Sequence, residues 1–536
     1  MSAGQLSGNS DHTRILVADP IASSGVELLS GAGEVDVATG LSPDELIARI
    51  PTYDALVVRS ETKVTAPVLE AATRLRVVGR AGVGVDNIDL EAATRHGVLV
   101  LNAPEGNTIA AAEHTVALIL AMVRRIPAAD RSLREGRWER SRFVGMELRE
   151  KTLGVLGLGK IGFEVARIAS QGLRMRVLAH DPLASQERAE QAGAELREFQ
   201  PVLEEADVVT LHLPLNEHTR GLVGAAQLSR MKRGSWLVNA SRGGIVDERA
   251  LAEAIASGHL AGAGLDVFEK EPPPSDGPLF SLPQVVLTPH LGASTREAQV
   301  NVAADVADQI VDYLAGGSPR YAVNAPALLP EELAQLGPYV GLARRLGSLA
   351  AQLSGAKVSR VVCTYSGELA DHDPGALTAE VLCGLFAHFT DTRVNAINAK
   401  SVARSLGVEV DERRTSRAQD HADDLLVEVA GSERLAVAGR QFGGEARLTR
   451  INDLRIDVKP AGMYLVCRQQ DRPGILATVA GSLAEHDVNI GSVALGRDRP
   501  RGRAVMLIEI DEPVSGEVLA SIKEAAKLDY LRVVTL

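Results

Sequence analysis

The runs LVNASRGG, LDVFEKEP and LTPHLGAST each begin like a strand and end in reactive side chains: Arg242, then Asp266, Glu269 and Glu271, then His290. Ligands of open α/β sheets bind beyond the carboxyl ends of the strands, so these groups are expected around one pocket. Imidazole exchanges a proton near neutral pH, and a carboxylate bonded to it favours its protonated form. A guanidinium grips a carboxylate and polarises the carbonyl beside it. Together they suit hydride transfer between a nicotinamide and a carbon whose oxygen must gain or lose a proton. Taken singly, Arg242 also fits a surface ion pair, His290 a satisfied buried histidine, and the acids a solvated loop; three strand ends in agreement favour the site.

A cofactor site is written upstream. TLGVLGLGKIG sets Gly157, Gly159 and Gly162 in a GxGxxG between a strand and a helix, where glycines permit the tight turn and the helix N-terminus offers free N–H groups to a pyrophosphate. VLAHDP then places Asp181 nineteen residues past Gly162, positioned to accept hydrogen bonds from the adenosine ribose. A carboxylate there repels a 2′-phosphate, and no arginine follows before Arg188, so NAD is expected over NADP.

These motifs need parallel strands to hold them. RILVAD, ALVVRS, RVVGRAG and VLVLNAP alternate with helical stretches, and a second series of six runs from TLGVLG to VVLTPH does the same, the pattern of doubly wound α/β sheets. The apolar helix NTIAAAEHTVALILAMVRRI lies between them. After residue 322 comes a region with its own strands and helices, and the last 75 residues read βαββαβ, a ferredoxin-like order. Residues 1–12, polar and Gly/Ser-rich, are expected to be a loose tail. At 536 residues several domains are expected.

Composition narrows the partners. The charge sum, 57 basic against 69 acidic residues or −12, is spread along the chain, which argues against nucleic acid or an anionic membrane. The three cysteines, Cys363, Cys383 and Cys467, form no CxxC pair, so neither a disulfide framework nor a metal site is expected and a reducing cytoplasm fits. The longest apolar run, TVALILAMV, is too short to span a bilayer.

VLGLGKIG, NASRGGIVDE, LDVFEKEP and TPHLGAST together resemble the D-isomer-specific 2-hydroxyacid dehydrogenases over residues 13 to 320, and the full length resembles a long branch of that family with a terminal ACT domain. The resemblance implies an NAD-binding Rossmann domain, 104–297, inserted in a split flavodoxin-like substrate domain, 13–103 and 298–321. An α+β intervening domain, 322–457, and a ferredoxin-like ACT domain, 461–536, would follow. It implies that Arg242 binds and polarises substrate, that His290 is the general acid/base, and that Glu271, the acid directly before proline, orients it. Implied NAD contacts are Val83, Gly157, Gly159, Lys160, Ile161, Gly162, Asp181, Leu213, Ala240, Ser241, Arg242, Asp266, His290, Leu291, Gly292 and Ala293. Substrate contacts are expected from Arg59, Ser60, Arg80, Gly82, Asn107 and Gln299. The implied reaction is oxidation of 3-phospho-D-glycerate, a phosphorylated acid that needs more than one cation. In the ACT-like fold the turn at Asp471 and the start of the strand at Asn489 are expected to adjoin, so that Gln469, Asp471 and Asn489 bind L-serine as feedback effector. A homotetramer is the implied assembly. Two other readings stay open at this point: a dehydrogenase for another D-2-hydroxy acid, and a non-catalytic NAD-sensing protein on the same fold.

Overall fold

The computed structural model describes residues 13–317, 320–325, 330–355, 358–390, 394–415, 425–431 and 434–536; the expectation for residues 1–12 lies outside them. Five short runs, Arg14–Val17, Glu34–Val37, Ala55–Val58, Val77–Arg80 and Leu99–Asn102, form a parallel sheet whose chain-order ranks run 2-1-3-4-5, the flavodoxin-like order. Its inner strands are apolar along their length because helices cover both faces; all four residues of Ala55–Val58 are buried. The edge strand Glu34–Val37 alternates acid with valine and is half exposed, so it lacked the apolar run that marked the other four.

The second sheet is also parallel and has seven strands, ranked 7-6-5-4-1-2-3, the Rossmann order extended by one. The expectation of six missed Ala194–Leu196, three residues at the sheet edge. The apolar helix Thr108–Val123 belongs to this unit, burying Leu118, Ile119, Met122 and Val123 against Val155 and Val238.

The chain then returns to the first sheet. Helix Arg296–Leu314, capped by Thr295, buries Val302, Val306, Ala307 and Ile310 against Ile15, Val17, Leu99 and Leu101. The fit is close, since a Cβ on Gly79 would lie 2.5 Å from Ile310 Cδ1. Each such side chain contributes roughly 1.5–3 kcal/mol, enough in sum to fix the returning helix on the first lobe.

Beyond it, a six-stranded mixed sheet from Arg360–Ser366 to Leu454–Val458 packs with helices Pro330–Ser354 and Gly375–Phe386. The last four strands form an antiparallel sheet with two helices in the βαββαβ order. One face of that sheet, through Tyr464, Val466, Val505, Leu507 and Val534, shares a core with the mixed-sheet region. The sequence, which reads them as separate units, does not show this. Among the described residues no helix is long and apolar enough to cross a membrane.

Candidate active site

The glycine turn has the form a dinucleotide requires. Gly157 sits at φ 94, and a Cβ there would lie 2.3 Å from the His212 carbonyl oxygen. A Cβ on Gly162 would lie 2.0 Å from the Gly157 oxygen, so helix Lys160–Arg167 packs against the turn only because that side chain is missing. Gly159, at the helix N-cap, has nothing within 4 Å of where its Cβ would be: open space bounded by unpaired backbone N–H groups. Asp181 caps the arrangement, accepting from the Leu158 N–H through Oδ2 at 2.8 Å and from the Leu183 N–H through Oδ1 at 2.9 Å. These features fit a pyrophosphate with a ribose beside it.

A cavity of about 340 Å³ opens from this turn, lined among others by Val83, Gly159, Lys160, Ile161, Leu213, Ala240, Ser241, Arg242, His290, Gly292 and Ala293. A second, of about 390 Å³, takes in Arg59, Ser60, Arg80, Gly82, Glu271 and His290. Arg80, His290 and Ala293 line both, so the two cavities meet at these residues.

His290 faces Glu271 as the spacing suggests: Nδ1 lies 2.8 Å from Glu271 Oε2, while Oε1 accepts the Phe268 N–H at 3.1 Å. Burial pushes the Glu271 carboxyl up, but the His290 ring and the Phe268 N–H outweigh it and hold the group below its usual range. It is therefore ionised near neutral pH, which places a proton on Nδ1 and leaves Nε2 for a ligand. Glu269 points elsewhere, accepting the Glu248 N–H. His290 itself adopts φ 55, a strained backbone for a residue with a side chain.

Asp266 explains how that strain is held. It is fully buried, with Oδ1 accepting from the Thr288 hydroxyl at 2.6 Å and the Leu291 N–H at 2.7 Å, and Oδ2 from the Gly292 N–H at 2.8 Å. Asp266 stands outside the lining of both cavities and braces the loop that carries His290. Gly157, Gly162, Asp181 and Leu291 likewise stand outside the cavity lining.

Arg59 and Arg80 line the second cavity, and Arg242 lines the first together with Arg80. Arg59 is held by buried Asp19, which accepts the Arg59 N–H at 2.6 Å and the Thr62 hydroxyl at 2.5 Å. Arg242 reaches from the second lobe to Asp86 of the first, Nε to Oδ2 at 3.1 Å. Arg80 lies between them, its Nε buried without a partner. Burial, and then the neighbouring positive charge of Arg242, push its ionisation down to about 10. A buried cation beside two others is the arrangement an anion would stabilise. Asn107 lines the first cavity with its Oδ1 also unpartnered, whereas Gln299, in the first turn of its helix, lines neither. Sequence reasoning did not single out Asp86, His212 and Phe268, which line these cavities although each lies within or beside a motif it used.

The effector residues are not brought together. Gln469 pairs with Ala504, which in turn pairs with Arg497, whereas Asn489 directly precedes Ile490, whose line of partners, Ile510 and then Met463, runs along the other end of the sheet. A helix crossover between parallel strands sets both strand starts at one edge, so the end of the first and the start of the second are separated by the strand length, roughly 20 Å. Asp471 binds Arg497 and the Arg501 N–H; Asn489 binds Asp511. Gln469 is buried with Oε1 unpartnered. Among the described residues no group of three or more His, Cys, Asp or Glu side chains is arranged to hold a metal ion.

Residues 116–292 match the family described as D-isomer specific 2-hydroxyacid dehydrogenase, NAD binding domain; residues 335–452 match the D-3-phosphoglycerate dehydrogenase intervening domain, and 463–527 the ACT domain. The chain is 45% identical over 522 residues to D-3-phosphoglycerate dehydrogenase of Archaeoglobus fulgidus, covering 96% of this chain and 98% of that one. It is 43% identical to the Synechocystis protein of the same name, over 96% and 93% of the two chains. Among solved structures, the NAD-dependent formate dehydrogenase of Staphylococcus aureus in complex with NAD is 30% identical, with a TM-score of 0.52 over 56% of this chain and 95% of its own.

Proposed function

The chain belongs to the D-isomer specific 2-hydroxyacid dehydrogenases, in their long D-3-phosphoglycerate dehydrogenase form, and on that footing we propose that it oxidises 3-phospho-D-glycerate to 3-phosphooxypyruvate, the first step of L-serine synthesis. The observation that carries the reading is the His290–Glu271 pair opening onto a cavity that Arg59 and Arg80 also line. NAD, when bound, supplies the acceptor for the hydride that leaves C2. Nε2 of His290 takes the hydroxyl proton as the C2–H bond breaks, and the ionised Glu271 balances the imidazolium that results. Arg59, Arg80 and Arg242 hold the carboxylate and phosphate, Arg242 exchanging Asp86 for the substrate as the lobes close. Lys160, Ile161, Ala240 and Ser241 line the cofactor side.

The substrate lobe is assigned to 13–103 and 298–321, supported by the core that helix Arg296–Leu314 shares with the first sheet. The cofactor domain is 104–297, the intervening domain 322–457 and the ACT domain 461–536. Assembly as a homotetramer is supported by exposed apolar side chains after the long helix, Ile126, Leu133, Trp138 and Val144. A cytoplasmic location is supported by three buried, unpaired cysteines. L-serine is the effector we propose, and because Asn489 is remote from Gln469 and Asp471 within one chain, it would lie between ACT domains of two copies. Serine should slow the wild type and not Asn489→Ala; equal sensitivity in both would remove the site.

The main test is His290→Ala, which should abolish most turnover while NADH binding, followed by fluorescence, stays near wild type. Wild-type turnover would refute the assignment.

A further inference from the structure

Asp266 has a fourth donor, and it comes from a distant part of the chain. His114, on the inner face of helix Thr108–Val123, sets its Nε2 3.1 Å from Asp266 Oδ1 and 3.2 Å from the Thr288 hydroxyl. The Thr288 hydrogen is already given to Asp266 Oδ1, so Nε2 faces only acceptors and must carry a proton. That hydrogen is available in the neutral and the charged ring alike. Among the described residues Asp266 has no cationic side chain other than this imidazole within hydrogen-bonding reach, and its remaining donors are the hydroxyl and the two amides of the loop it braces.

We propose that His114 is a positioning residue for His290: it locks the buried Asp266 carboxylate, which in turn holds Thr288, Leu291 and Gly292 and so fixes His290 in its left-handed conformation. The chain of contacts runs from the long helix to the acid/base loop, and neither His114 nor Asp266 lines either cavity. This rests on the reading of His290 as the proton-transfer group. The ionisable groups that act on Asp266 are His114 from the helix and Glu271 from the loop after strand Gly262–Leu265, while His290 meets it only through its backbone N–H on the Asp266 carbonyl.

Burial pushes the Asp266 carboxyl up, but the bonds from His114, Thr288 and Leu291 outweigh it and hold it below its usual value. A depressed carboxylate contributes its clamp above its ordinary value and loses it as pH falls through the folded one. Without His114 the folded value moves up, so the clamp is lost at a higher pH.

The test compares wild type, His114→Phe, His114→Gln and His290→Ala in the reductive direction, with 3-phosphooxypyruvate and NADH, from about pH 8.5 down toward the ordinary carboxyl range at about pH 4.5. Reduction consumes the imidazolium proton, so acid favours it, and a rate that falls toward acid cannot originate at His290. His114→Phe should lower kcat by about tenfold at the alkaline end and further as pH falls, with NADH affinity within about twofold of wild type. His114→Gln, which restores an N–H donor, should recover kcat to within about threefold and flatten the profile. Wild-type kcat and profile in His114→Phe would overturn the proposal, as would equal impairment of the Gln variant. Early melting of His114→Phe together with lost NADH binding would assign the residue to fold integrity and also overturn it. If His290→Ala turned over normally, the proton-transfer reading would fall first and the positioning role with it.

Discussion

Replacing Glu271 by glutamine keeps the shape of the side chain and removes its charge, which isolates what the carboxylate does for His290. The two groups are 2.8 Å apart and their side chains are 39% and 46% exposed. Unit charges about 4 Å apart attract by about 4 kcal/mol at an effective dielectric near 20 and about 1 kcal/mol in bulk water. Exposure above a third places this pair in the lower half of that range, about 1–2 kcal/mol, or roughly a 5- to 30-fold loss in kcat. Glu271→Ala also removes the acceptor that keeps the proton on Nδ1, so its loss should reach about 100-fold or more. The assay is NADH formation with saturating NAD and 3-phospho-D-glycerate on the alkaline plateau, with NADH affinity followed by fluorescence. Both variants should bind NADH within about twofold of wild type, because Glu271 lines only the substrate-side cavity. A Gln variant with wild-type kcat, or a loss seen in NADH affinity instead of kcat, would refute the pairing as the source of the effect.

Other substitutions separate fold from binding. Gly162→Ala should destabilise the protein by about 1–3 kcal/mol and weaken NADH binding, since its Cβ would meet the Gly157 oxygen at 2.0 Å. Gly159→Ala should leave the melting temperature unchanged yet still weaken NADH binding, because its Cβ enters only the open space at the helix N-terminus; unchanged NADH affinity would contradict that use of the turn. Arg80→Met should raise KM for 3-phospho-D-glycerate by about tenfold or more without loss of thermal stability, since it removes a half-buried cation that burial and Arg242 disfavour and whose Nε has no partner. An unchanged KM would exclude Arg80 from the substrate site.

How much of this the sequence shows depends on how local each feature is. The glycine turn, the strand-end arginine and a carboxylate beside His290 were legible because short motifs fix backbone geometry and parallel strands deliver their ends to one edge, while the choice of Glu271 among the acids came from the family resemblance. Asp266 was legible as a strand-end acid but not as a brace, because that depends on how residues 288–292 fold back over it. His114 gave no signal in a helix that reads as apolar packing, and its partner is 152 residues away. The edge strands Glu34–Val37 and Ala194–Leu196 escaped because a half-exposed strand carries no apolar run. The separation of Asn489 from Gln469 follows from strand direction, which the order of elements implies but their spacing along the chain does not.

The central claim, a dehydrogenase for a phosphorylated D-2-hydroxy acid, is tested most directly by comparing kcat/KM for 3-phospho-D-glycerate and for D-glycerate with NAD. With Arg59, Arg80 and Arg242 spread over the two adjoining cavities, the proposed function predicts a preference for the phosphorylated acid of about 100-fold or more. Equal values, or a preference for D-glycerate, would contradict the account.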